Sequence, residues 1–155
     1  MFLYWIRVVV IGFEALVLLL AAMVWVVFRS ELEAAASVLT LNEEFLKYMF
    51  VAPVGVGLWV TNESRLLLQE DKETIRILTA WPEYRLLKTH IWVGLLYALL
   101  FAALSILPWA AKSGVSSGTG LLLFVVAIAG QFIVAASVYS ARITLKEITV
   151  HASAP

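Results

Sequence analysis

Cysteine is missing from this chain altogether. Its absence excludes disulfides, thiolate metal sites and thiol nucleophiles, and leaves the redox compartment undefined. Histidine is nearly missing too: His90 and His151 are the only two, and they fall in different segments. A bis-His haem or a two-His metal site would need both, so neither a metal nor a cofactor is expected. Charge is scarce and balanced. Charged residues make up 14% of the chain, and 11 Lys and Arg face 11 Asp and Glu, for a formal net charge of zero. That leaves no basic patch of the size nucleic acid requires. The P-loop, H-E-x-x-H, G-x-S-x-G and the glycine fingerprint behind a strand are all absent. No carboxylate or histidine cluster offers a catalytic constellation. The chain is therefore expected not to be an enzyme.

What is abundant is apolar surface. Hydrophobic residues make up 63% of 155 residues, where a soluble domain has about 45–50%. A water-soluble protein of this length keeps a large area facing water and could not hide the excess. A lipid bilayer is the ordinary solvent for it. A helix crossing the hydrocarbon needs roughly 20 apolar residues, and four stretches qualify: about 3–28, 42–60, 89–111 and 119–141. They are continuous apolar runs without ten-residue alternation, which argues against a spanning β-barrel. The run from Val8 to Phe28 is long for a signal-peptide core and meets Arg29, with Ala21-Ala22 as its only small-residue cleavage candidate, so it reads as a retained helix. The expected fold is an all-α integral membrane four-helix bundle, a single membrane domain over 1–155.

Lys and Arg set the orientation. Arg7, Arg65, Lys72, Arg76, Arg85, Lys88, Arg142 and Lys146 fall on one side of the proposed spans, and Arg29, Lys47 and Lys112 on the other. Both termini are thus expected in the cytoplasm, in a multi-pass protein of a cell membrane of the bacterial inner-membrane kind. Trp5, Trp59, Trp81 and Trp92 then fall near the inner boundary and Trp25 and Trp109 near the outer one, where indoles prefer to sit. The segment 63–81 interleaves Leu66, Leu67, Leu68, Ile75, Ile77, Leu78 and Trp81 with charged residues. It is expected to form a short interfacial cytoplasmic helix between spans two and three, ended by Pro82. The Gly/Ser stretch 113–120 should join spans three and four, with Thr119 or Ser117 capping the last helix.

Glu14 is the sharpest candidate, because a carboxylate inside a span is costly unless protonated, paired or wet. It reads either as an ion or proton site, with Arg7 two turns earlier on the same face, or as structural glue to a neighbouring helix. Gln131 falls near mid-membrane in the last span and needs a partner, for which Glu14 is a candidate. Glu43 and Glu44 open the second span, either as a cation or partner site or as caps favoured by the helix dipole, with Lys47 in pairing range. Pro53, Gly55 and Gly57 read as a kink with room for close helix approach, or as an ion-coordinating break. His90, Gly94, Ala98 and Ala102 recur every four residues in the third span, and Ala127, Gln131 and Ala135 do so in the fourth. Such small-residue ridges let helices come close.

The pair Glu43-Glu44, followed by Lys47-Tyr48 and the apolar run Met49 to Val60, resembles the start of the second span in the small membrane subunit of TRAP-type (tripartite ATP-independent periplasmic) transporters. The detailed likeness covers about 20 residues. The aromatic residue often seen before that acidic pair is replaced by Leu41-Asn42, and Trp81-Pro-Glu-Tyr84 has no counterpart. The resemblance implies four spans, cytoplasmic termini and a scaffold that braces a larger transport subunit without carrying substrate. The expected function is accordingly a non-enzymatic accessory subunit of a larger membrane complex, a transporter foremost, with lipid and a large membrane protein or a second copy as partners. The alternative is a homo-oligomeric ion channel or ion-coupled carrier using Glu14 and Gln131.

Overall fold

The computed structural model describes residues 12–38, 43–68, 81–110 and 117–153. Among these residues the chain is helical, without a strand: α1 Phe13–Val27, α2 Arg29–Val38, α3 Glu43–Leu68, α4 Tyr84–Ala110 and α5 Gly118–Ser153. Two helices, through their segments Tyr84–Pro108 and Gly118–Val150, are long and apolar enough to cross a membrane. The pair α1 and α2 adds a third crossing if it counts as one broken span. The 26 residues of α3 extend about 39 Å at 1.5 Å per residue. Polar residues at both its ends keep it out of that group, so among the described residues length and composition support two or three crossings of the four expected.

The first expected span ends in a bend. α1 stops at Val27, and α2 leaves it at 89°. The composition changes at the bend: after Phe28 the chain reads Arg29-Ser-Glu31-Leu-Glu33, charged groups that suit a helix lying along the membrane surface. α2 instead folds across the start of α5. There the Glu33 carboxylate accepts the Gly118 backbone N–H at 3.0 Å, and the Ser117 hydroxyl accepts the Gly120 N–H at 3.1 Å. Two of the free donors at that helix end are thereby satisfied, and the carboxylate lies where the helix dipole favours negative charge. Ser117 is the capping residue of the two expected. Thr119 instead receives the Trp25 indole N–H at 3.2 Å, tying the top of α1 to the top of α5.

The other helices outrun their expected bounds. α3 continues past Val60 to Leu68 because Glu63, Ser64 and Leu67 share a buried face. Residues 63–68 therefore belong to α3 rather than to a separate interfacial helix; the remainder of that segment, 69–80, lies outside the described residues. α4 begins at Tyr84, just beyond Pro82. α5 runs 12 residues past Ala141, with Leu145 buried and Ile148 partly so on the inward face. At 36 residues it is about 54 Å long, more than the full thickness of a bilayer.

α5 packs against each of the other four helices, whereas α1 and α2 touch little else. Side-chain pairings give the directions. Glu14 meets Ser137 and Trp25 meets Thr119, so α1 runs antiparallel to α5. Ala98 meets Gln131 and Gly94 lies under Val134 and Val138, so α4 is antiparallel to α5 as well. Gly57 faces both Gln131 and Ala102, and Glu63 meets Arg142; α3 is therefore parallel to α5 and antiparallel to α4. The result is an up-down-up-down arrangement. Glu33, Trp25 and Thr119 lie at one end, here the upper, and Glu63 and Arg142 at the lower.

The core runs between α3, α4 and α5 through Val60, Leu67, Ile91, Ala98, Phe101, Val134, Val138 and Leu145. Phe101 is fully buried, stacks on Tyr97 with ring centroids 6.1 Å apart, and lies against Gly130. A β-carbon on Gly130 would overlap the Phe101 ring. The outward surface is apolar: Phe13 is 74% exposed, Leu19 64% and Phe132 64%. Meanwhile Gln131, Ser105 and Ser64 are buried. Apolar residues outside with polar ones inside suit a lipid surround.

Gly130→Ala is expected to destabilise the bundle. Alanine gains about 1 kcal/mol in helix propensity over glycine, but overpacking a filled core costs about 1–3 kcal/mol, and the ring has no free space to enter. A net loss near 1 kcal/mol should appear in detergent unfolding, and Phe101→Leu in the same chain should restore most of it.

Candidate functional site

Polar groups inside an apolar bundle are where chemistry or specific assembly must reside, and at three positions such a group reaches from one helix to another. Depth is set by counting along α5 from Thr119 at 1.5 Å per residue. Gln131 lies about 18 Å down, Ser137 about 27 Å and Arg142 about 34 Å.

Gln131 occupies the centre. It is 1% exposed. Its Nε2 donates to the Ala98 carbonyl at 2.8 Å, and a β-carbon on Gly57 would come within 3.0 Å of that nitrogen. Gly57 is thus the opening in α3 that admits the amide between the helices. The Gln131 Oε1 has no hydrogen-bond partner. Gly55 has nothing within 4 Å of its β-position, so only the second of the two glycines serves close approach.

Glu14 is buried against α5, where the Ser137 hydroxyl donates to its Oε1 at 3.3 Å. The structure does not join Glu14 to Gln131. Six residues separate Ser137 from Gln131, which amounts to about 9 Å along α5 and roughly 120° around it. The two polar groups therefore look out from different faces. Glu14 also sits near the lower end of the bundle, only about 8 Å above the Arg142 level.

The third position was not read from the sequence. Glu63 of α3 and Arg142 of α5 form an ion pair at 2.7 Å, with the Glu63 side chain 8% exposed and that of Arg142 41%. Beside it opens a cleft of about 250 Å³ lined by Glu63, Leu66, Leu67, Arg142, Leu145, Lys146 and Thr149. The signal was present as two opposite charges immediately beyond the ends of two spans expected to finish on the same side.

The remaining candidates serve packing or stand apart. Gly94 and Ala98 lie against α5, and Ala102 faces Gly57. Ala127 is fully buried and Ala135 partly so, while His90 is exposed at the other end of that ridge. Glu43 and Glu44 open α3 as its first residues; their side chains lie outside what the structure describes. Among the described residues no group of His, Asp and Glu is arranged to hold a metal ion. The chain matches no family model, no curated protein and no solved structure.

Breaking the ion pair from one side should cost more than removing it whole. Truncating one member of a buried pair costs about 3–5 kcal/mol, and the half-open Arg142 lowers this to about 1–3 kcal/mol. Arg142→Ala should reduce the unfolding midpoint in detergent, and the double change Glu63→Leu with Arg142→Leu should recover it at least in part.

Proposed function

We propose that this chain is a small, non-enzymatic, four-span membrane subunit that scaffolds a larger membrane complex, a transporter foremost, with both termini in the cytoplasm. The fourth crossing is α3. It packs against both α4 and α5, so a bilayer that those two cross also surrounds its apolar middle from Val51 to Val60. The lower end, rich in Arg65, Arg85, Lys88, Arg142 and Lys146, is the cytoplasmic one under the positive-inside rule. The up-down-up-down course then brings the start of α1 and the end of α5 to that same side.

One observation carries the subunit reading: the intramembrane polar groups are spent on bonds within and between the helices. Gln131 is bonded to the α4 backbone and Glu14 to Ser137. The hydroxyls of Thr61, Thr89 and Ser105 return to carbonyls of their own helices, as buried hydroxyls do when no solvent is near. Little is left to escort a solute, while α1 and α4 present broad apolar faces through Leu16, Leu19, Leu20, Leu96, Leu99 and Leu100. The TRAP-type resemblance at Glu43-Glu44 supports the same reading.

The competing proposal is a homo-oligomeric channel or ion-coupled carrier. The unpartnered Gln131 Oε1 favours it; the separate faces of Gln131 and Glu14 count against it. Purification in a gentle detergent followed by mass spectrometry should recover a larger membrane protein in stoichiometric amount. Recovery of this chain alone as a homo-oligomer would overturn the subunit reading. Glu14→Gln should weaken assembly slightly or not at all and leave ion flux in proteoliposomes at background; abolition of a measurable flux would instead establish the channel.

A further inference from the structure

The cleft at the lower end of α3 and α5 combines features that packing alone does not require. On α5, Arg142, Lys146 and Thr149 are spaced four and three residues apart and so share one helical face. On α3, Glu63, Leu66 and Leu67 do the same. The two helices are parallel here, and the space between them is about 250 Å³. Glu63 is held by Arg142, whose Nη1 lies 2.7 Å from the carboxylate. A guanidinium has five N–H donors in a fixed fork, so this pairing steadies the group and leaves donors free. Lys146 stands exposed one turn further on. Among the residues that line the cleft, two cations face one carboxylate. Its other walls, Leu66, Leu67 and Leu145, are apolar.

Depth completes the picture. Arg142 to Thr149 spans about 34 to 45 Å below Thr119. Hydrocarbon is about 30 Å thick and the whole bilayer about 40–45 Å. With Trp25 and Thr119 at the upper boundary, these residues lie at the level of the opposite headgroups. We infer that this cleft holds the phosphate headgroup of an anionic phospholipid, with Arg142 and Lys146 on the phosphate and the leucines against the glycerol and first acyl carbons. A basic, apolar-walled recess between helices at this level is the form such sites take. The inference depends on the bundle crossing a membrane, not on the subunit role, so a failed search for a protein partner leaves it standing.

The test uses the full chain in detergent, with added phosphatidylglycerol or phosphatidylcholine, and native mass spectrometry to count retained lipid. The expected result is one phosphatidylglycerol per chain, phosphatidylcholine retained far less, and about a 25-fold loss of phosphatidylglycerol binding in Lys146→Glu, since each headgroup-level charge is worth roughly fivefold and the change shifts the charge by two units. Lys88→Glu, at the same end but outside the cleft, should bind as the unaltered chain does, and circular dichroism confirms that both variants are folded. Equal retention of the two lipids, an unchanged Lys146→Glu, or an equal loss in Lys88→Glu would overturn the site. Displacement of the lipid by millimolar inorganic phosphate would overturn the lipid source and assign the cleft to a soluble phosphate.

Discussion

A hydrogen-bonding group surrounded by hydrocarbon has no water to fall back on, and that constraint governs how this molecule is put together. The helices satisfy their own backbones, and the side chains follow suit. Thr61, Thr89 and Ser105 each donate to a carbonyl of their own helix. Gln131 reaches the backbone of α4, and Glu14 receives the hydroxyl of Ser137. These two bonds, like those of Trp25 with Thr119 and of Glu33 with Gly118, converge on α5, which is why the bundle is organised around that helix. What remains unmatched among the described residues is small: the Gln131 carbonyl oxygen and the Ser64 hydroxyl.

Shape and polarity then divide the work among the helices. Where α4 and α5 approach, a glycine accepts a ring: Gly130 receives Phe101. Where α3 approaches both, Gly57 makes room for an amide. Glu14 apart, the charged contacts lie at the two ends. At the upper end Glu33 completes the first turn of α5, and Arg29 lies 5.5 Å from the Trp25 ring. At the lower end Glu63 and Arg142 join α3 to α5. Each end is thus fastened by polar contacts that the hydrocarbon would not tolerate, and the middle by fit. This division supports a building block for a larger assembly more readily than a conduit.

Much of the plan could be read from residue order. Apolar run length gave the helical class, and placed the ends of α1 and α4 and the start of α5 to within one residue, while α4 begins five residues earlier and α5 ends 12 later than expected. The spacing of Gly94, Ala98 and Ala102 marked the close face of α4, and Gln131 stood out as a polar residue in an oily stretch. Its partner did not, because a backbone carbonyl such as that of Ala98 carries no mark in the sequence. The sideways turn at Phe28 was also invisible as a turn: Arg29, Glu31 and Glu33 announced the end of apolar chain, but a second helix doubling back onto Gly118 depends on contacts 85 residues apart. Hydropathy likewise closed the second and fourth spans at Val60 and Ala141, one residue before Arg142 and three before Glu63. Apolarity ends there, whereas helicity continues, held by the ion pair that lies just beyond.

The central place of α5 bears on biogenesis. It is the last helix in the described order, yet each of the earlier ones rests on it. A ribosome feeding this chain into a bilayer therefore releases α1, α3 and α4 before the element that joins them exists. Glu14 meanwhile waits for Ser137, and Glu63 for Arg142. Until the C-terminal helix arrives, those carboxylates must be held by water, lipid headgroups or insertion machinery, and the bundle can close only after synthesis of the final span.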